Sequence, residues 1–220
     1  MRLNFIGDVH GKTDQYQKKL RQKFAGQHTF QMGDMGIGFS NVPGLHKDII
    51  GDTHKWIRGN HDDPDKCAQL TDRGYLGKFG YIKEFDLFYV GGAYSIDKGW
   101  RVPGISWWEG EENSYPELAE AINLYERVKP KYVFSHDTAS SAATWLLTTI
   151  TGGFRPEKMP SADSRTAVAL EQMFQIHQPK EWVFGHYHIS KSFDWRGTKF
   201  TCVNELDVYT ITDEPLIVVP

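Results

Sequence analysis

Leu3-Asn4-Phe5-Ile6-Gly7-Asp8-Val9-His10-Gly11, followed by a polar stretch from Asp14 to Phe24, decides the fold class of this chain. Leu3 to Ile6 is short and rich in β-formers, as buried strands are. The stretch after Gly11 carries Tyr16, Leu20 and Phe24 at helical spacing. Strand, loop, helix in that order marks an α/β fold. Open α/β sheets bind outside the carboxyl ends of their strands, so polar residues in such a loop are candidates for chemistry.

Working outward, the same arrangement recurs. Phe30 to Met32 leads into Gly33-Asp34, and Trp56-Ile57 leads into Gly59-Asn60-His61-Asp62. Tyr132 to Phe134 precedes Ser135-His136-Asp137, and Trp182 to Phe184 precedes Gly185-His186-Tyr187-His188. Each cluster sets metal-type ligands just past an apolar run, so residues far apart in sequence can meet on one rim. Between them, Asp63-Pro64-Asp65 looks like the turn and cap of a helix over Lys66 to Thr71, and Ser114-Tyr115-Pro116-Glu117 opens another to about Lys129. Ser161 or Asp163 caps a third, which runs to about His177. Alternation from Phe85 to Val90 indicates a further strand. Ser192 to Trp195, Thr198 to Val203, Val208 to Ile211 and Leu216 to Val219 read as short antiparallel strands separated by turns such as Arg196-Gly197. The Trp-rich loop near 91–113 and the Ser/Thr-rich 138–162 read as insertions over the rim of a single domain spanning 1–220.

Composition excludes several classes. With 220 residues, 40% of them hydrophobic, the chain can bury a full core. A formal charge of −3 gives no overall basic field, so a long nucleic-acid footprint is not favoured, and Lys18, Lys19, Arg21 and Lys23 read as a solvated helix face. No apolar run approaches the roughly 20 residues needed to span a bilayer. Cys67 and Cys202 lack metal-finger spacing, and the start carries no charged-then-apolar leader; a cytoplasmic protein is expected.

The ligand types define the chemistry. Carboxylate, amide and imidazole without thiolate suit Mn2+, Fe, Zn2+ or Co2+. Two cations roughly 3.5–4 Å apart need a bridging carboxylate, and Asp34 is assigned that place. Asp8, His10 and His188 complete one metal; Asn60, His136 and His186 complete the other. Two dications against two carboxylates leave a positive excess suited to a phosphoryl anion. The expected reaction is hydrolysis of a phosphoester by in-line attack of water or hydroxide held at two metals.

On these residues, from Asp8 and His10 through Asp34, Asn60, His61 and His136 to His186 and His188, the sequence resembles the calcineurin-like metallophosphoesterase superfamily over nearly its whole length. The resemblance implies a four-layer αββα sandwich, two mixed β-sheets flanked by helices, with metals at the strand ends. It also implies His61 beside the leaving group, not on a metal, with Asp62 orienting its imidazole. Gly33-Asp34-Met35-Gly36 lacks the Asp-Arg that the protein phosphatase branch uses to clamp phosphate, so a small phosphoester is expected and a phosphoprotein is not. Gly91-Gly92-Ala93-Tyr94-Ser95-Ile96-Asp97, with Arg101 and Ser106-Trp107-Trp108, is similar to a segment of some bacterial and phage-type members.

Plainer roles compete at the periphery. Arg101, Trp107 and Arg165 are candidates for substrate contact, yet each arginine alone is as readily a surface ion pair and each tryptophan a packing residue. Arg155 stands with them. Asp137 either supports His136 or simply begins a loop. His28, His46, His54 and His177 fall outside the clusters and read as surface or packed side chains. Two rival functions remain: a nuclease or cyclic-nucleotide phosphodiesterase using the same metals, and a non-catalytic scaffold that keeps the fold.

Overall fold

The computed structural model describes residues 1–39, 53–152 and 163–213. Among these residues ten strands form two sheets. β1 (Arg2–Ile6), β2 (Thr29–Gln31), β3 (His54–Trp56) and β10 (Val208–Thr212) make the first, in the order β10-β1-β2-β3. The second holds β4 (Phe79–Ile82), β5 (Leu87–Val90), β6 (Tyr132–Ser135), β7 (Glu181–Phe184), β8 (Lys191–Trp195) and β9 (Thr198–Cys202), in the order β4-β5-β6-β7-β9-β8. Both are mixed: β1-β2-β3 and β5-β6-β7-β9 run parallel, and β10, β4 and β8 attach antiparallel at the edges.

Period-two alternation explains the layers. Side chains of a strand point alternately to opposite faces, and here both faces are buried. Leu3, Phe5, Phe30, Leu87, Tyr89, Tyr132, Phe134 and Val183 fill the space between the sheets. Phe88, Val90, Val133, Trp182 and Phe184 point the other way, onto α3 (Tyr115–Val128), α4 (Ser140–Ile150) and α5 (Arg165–Ile176). Ile6 and Trp56 face outward from the first sheet toward Tyr16 and Leu20 of α1 (Thr13–Lys23) and Cys67 of α2 (Pro64–Ala68). Three apolar layers therefore separate four layers of secondary structure, the αββα sandwich. Phe134 lies 5.2 to 5.8 Å, ring to ring, from Phe5, Phe30 and Tyr89. Truncating such a ring costs about 3–5 kcal/mol, and this one sits two residues before His136.

The helix signals act as capping chemistry. Asp63 Oδ1 accepts from the amides of Asp65 and Lys66, and Ser114 with Glu117 forms a reciprocal capping box. The third cap differs from expectation: Ser164 Oγ accepts from Ala167 N, one residue beyond Asp163, while Ser161 lies outside the described residues.

One further expectation is corrected, and two elements are added. β9 is antiparallel to β8 but parallel to β7, and β10 crosses to the other sheet to pair with β1, so the C-terminal strands are not one antiparallel unit. Residues 140–150 of the expected second insertion form a regular helix. Its buried Ala142, Ala143 and Leu146 make a packing stripe, and the hydroxyls of Thr144 and Thr149 return to carbonyls four residues back. β4 was not anticipated; none of its four residues is fully buried, as at a sheet edge. The expected strand over Leu216 to Val219, together with His46 and Arg155, lies outside the described residues. Among the described residues no helix is long and apolar enough to cross a membrane.

Candidate metal centre

Every parallel strand of the first sheet ends at this site. Asp8 and His10 follow β1, Asp34 follows β2, and Asn60 and His61 follow β3; from the second sheet His136 follows β6, and His186 and His188 follow β7. The seam between the two sheets' carboxyl ends gathers all five clusters. His10, Asp34, His186 and His188 hold left-handed backbone, with φ of 46°, 54°, 66° and 52°. That conformation costs an L-residue roughly 1–2 kcal/mol, and four instances on these residues set their side chains inward from tight turns. Glycines permit the approach. A Cβ on Gly33, whose φ is 103°, would lie 2.6 Å from His136 Nδ1, and one on Gly59 or Gly185 would strike the carboxylates of Asp34 or Asp8.

Asp8, His10, Asp34 and His188 form one cluster, their donor atoms all within 4.8 Å of one another. His10 Nε2 lies 3.8 Å from Asp8 Oδ2, 3.7 Å from Asp34 Oδ2 and 2.8 Å from His188 Nε2; His188 Nε2 lies 3.1 Å from Asp8 Oδ2. The other Asp34 oxygen faces a second group. His136 Nε2 is 3.3 Å from Asp34 Oδ1 and 2.9 Å from Asn60 Oδ1. Asn60 Nδ2 donates to Ser95 Oγ at 2.9 Å, which fixes Oδ1 toward His136. His136 Nδ1 lies 2.8 Å from Met32 O, so its other nitrogen is the one turned to the centre. The His186 ring stands 5.0 Å from that of His136, centroid to centroid.

The electrostatics favour cations. Burial alone would raise Asp34, but His136, His61 and His10 outweigh it and hold the carboxyl below its usual range. Asp8 is likewise lowered, with His10 and His188 overcoming its burial. Burial would lower His136, yet Asp34 and Asp8 drive it up to about 10. A buried imidazole that takes on a proton so readily occupies ground where positive charge is stabilised. Oxygen and imidazole donors converging on two buried carboxylates fit divalent cations of the Mn2+, Fe, Zn2+ and Co2+ group.

His61 lies beside this cluster. Its Nε2 is 4.0 Å from Asp34 Oδ2, and its amide donates to Asp34 Oδ1 at 2.7 Å. Burial lowers the ring to about 4, with Arg101, His10 and His136 adding to the fall against the pull of Asp34. Asp62 does not orient it. The Asp62 carboxylate is wholly buried and accepts amides from Met35, Gly36, Ile37 and Gly59 at 2.7 to 3.1 Å, tying the β2 loop to the β3 loop.

The substrate-contact candidates divide. The Arg101 fork reaches His61, with Nη1 2.9 Å from Nδ1. Arg165 does not reach the centre: its guanidinium donates to the carbonyls of Asn113 and Glu112 at 2.9 and 3.3 Å. Trp107, whose indole N–H is buried without a hydrogen-bond partner among the described residues, is not part of the cavity wall. Asp137 does not serve His136. It accepts from Thr138 N, Tyr187 OH and Ser164 Oγ, steadying the segment between His186 and His188. The cavity at the centre, about 270 Å3, is lined by Asp34, Asn60, His61, Ile96, Asp97, Leu147, His186, Tyr187 and His188. Ile96 and Leu147 come from the two segments read as rim insertions. Ser95 and Asp97, which act on Asn60 and Arg101, were not singled out from sequence, although the Gly91 to Asp97 segment containing them was.

The fold and this ligand order define a class. The chain belongs to the calcineurin-like phosphoesterase family, whose model matches residues 1–190. No curated protein matches it by sequence. Among solved structures it is similar to one from Staphylococcus aureus described as a putative 5'-nucleotidase in complex with alpha-ketoglutarate, at 13% identity and a TM-score of 0.55. That alignment covers 95% of this chain and 50% of the other, so the chain spans about half the length of the staphylococcal protein. It is also similar to phosphopantetheinyl hydrolase (PptH) from Mycobacterium tuberculosis, at 11% identity and a TM-score of 0.50, covering 99% of this chain and 98% of that one. At these identities the likeness establishes the fold.

Proposed function

We propose that the chain hydrolyses small phosphomonoesters or phosphodiesters at a pair of divalent cations, with Mn2+ the first choice. The observation that carries this reading is the division of Asp34: one oxygen faces His10 of the four-residue cluster, the other faces His136. Asp8, His10 and His188 would hold one cation, Asn60, His136 and His186 the other, with Asp34 shared. Cations bound there supply Lewis-acid charge to a phosphoryl oxygen and make water a stronger nucleophile.

The chain's own residues do the rest. His61, kept uncharged by its burial and lying 4.0 Å from Asp34 Oδ2, would assist a departing oxygen through a ring N–H. Arg101 adds fixed positive charge beside it. Ile96, Leu147 and Tyr187 wall the cavity, whose volume of about 270 Å3 suits a compact ester. The size of that cavity favours the small-ester reading over a nuclease.

The test is metal analysis with a substrate panel. Purified protein should carry two equivalents of metal and turn over small esters, including nucleotides and aryl phosphates, in Mn2+. Asp34→Asn should lose metal at both positions and lose turnover while circular dichroism stays unchanged. Retention of both metals and near-normal rates in that variant overturns the assignment, and rapid cleavage of long DNA without small-ester turnover replaces it with the nuclease reading.

A further inference from the structure

Arg101 lies in the rim loop, and all of its donors can be followed. Nε and Nη2 donate to the two oxygens of Asp97, each at 2.7 Å, and Nη1 donates to Ser106 O at 3.1 Å. A guanidinium carries five N–H bonds, so two are left, one on each Nη. Both face the His61 ring: Nη1 lies 2.9 Å from Nδ1 and Nη2 3.2 Å from Nε2.

An imidazole cannot answer both. A neutral ring offers one in-plane lone pair and a protonated ring offers none. At least one Arg101 N–H therefore has no acceptor on His61, whatever the ring's state, and a guanidinium does not shed its proton to relieve the mismatch. Arg101 is not itself among the residues lining the cavity next to Asp34, but the two side chains it is held between, His61 and Asp97, both line it, so the unmatched N–H sits at the cavity's edge. The chemistry that fills such a gap next to cation ligands is an anionic oxygen. Asp97 holds the guanidinium side-on by two parallel bonds, so its place beside the His61 ring is fixed before any ligand arrives.

We propose that Arg101 is a preset clamp for the phosphoryl anion and that Asp97 is its positioning residue. This deepens the phosphoesterase reading and rests on it. Asp97 acts through Arg101 and does not touch the substrate; its own charge is spent on the guanidinium, which keeps a carboxylate in the cavity from repelling phosphate. The rim loop is thus part of the anion site.

The experiment is calorimetric titration of inorganic phosphate into the Mn2+-loaded protein, which needs no turnover. Arg101→Ala should weaken phosphate binding by about 10- to 100-fold with metal content unchanged. Arg101→Gln, close in length to arginine, should do the same, and added guanidinium ion should restore part of the loss in Arg101→Ala. Asp97→Ala should weaken binding about threefold to tenfold in the wild-type background and have no effect in the Arg101→Ala background, the non-additivity expected of a residue acting through another. Phosphate affinity unchanged in both Arg101 variants, or an Asp97→Ala loss equal in the two backgrounds, overturns the proposal. Should the wild-type protein bind phosphate through Arg101 yet hydrolyse no ester, the hydrolase reading falls and the clamp stands.

Discussion

Acidification should loosen the first sheet through one buried histidine. His54 opens β3 and is 3% exposed; Nδ1 sits 2.6 Å from Thr29 Oγ1 on β2, and Nε2 meets the Tyr16 hydroxyl on α1. Burial, with a smaller contribution from Lys55, lowers its pKa from 6.5 to about 3. The unfolded chain therefore takes up this proton at a higher pH than the folded one. The stabilisation is fully present above about pH 6.5 and is lost as pH falls toward 3, with a slope near 1.4 kcal/mol per pH unit. Between pH 7 and pH 4 this one group removes about 3 kcal/mol, a large part of the 5–15 kcal/mol typical of a folded chain. The assay is urea unfolding of chelator-treated protein at several pH values, so that metal release does not contribute, comparing wild type with His54→Gln. The variant should be less stable at pH 7 but lose less on acidification, and the difference in slope should approach one proton between pH 4 and 6. Identical slopes would refute the reasoning.

Other outcomes follow from the site. Asp62→Ala should destabilise by about 3 kcal/mol or more, because four buried amides lose their acceptor; a melting temperature within a degree of wild type would contradict the loop-tying role. Ser95→Ala, which frees the Asn60 amide, should weaken metal binding on the His136 side by about 10- to 100-fold and leave the His188 side occupied, as read by metal analysis across a chelator series. His61→Ala should keep both metals and lose about 10²–10⁴-fold in rate, with less damage for a good leaving group; equal losses for good and poor leaving groups would remove it from that role.

Much of the centre was legible because its ligand types are uncommon side by side and each follows a β-forming run. Asp8, His10, Asp34 and His188 could be grouped before any geometry, and the structure brings those four together. What sequence hid was set by tertiary approach. The partners of Asp62 are main-chain amides, which look alike at every residue, so nothing local distinguished a loop tie from a catalytic neighbour. Arg165 and Arg101 are equivalent as letters; only packing sends one to the carbonyls of 112–113 and the other to Asp97 and His61. The parallel placement of β9 beside β7 was likewise unreadable, because a tight β8–β9 hairpin signals its own antiparallel pairing and says nothing of the neighbour across the sheet.

The candidate donors of the centre are split between the two sheets, Asp8, His10, Asp34 and Asn60 on one side of the seam and His136, His186 and His188 on the other. Neither sheet owns a complete coordination set. A cation seated there acts as a rivet through two plates otherwise held by their apolar faces. At a thousandfold excess over its dissociation constant such an ion deepens the folded state by about 4 kcal/mol, and that gain is felt as cohesion between the plates. Withdrawing the ion would then slacken the joint itself, and amide exchange should quicken first in the loops after β1, β2, β6 and β7, while the helices on the outer faces stay protected.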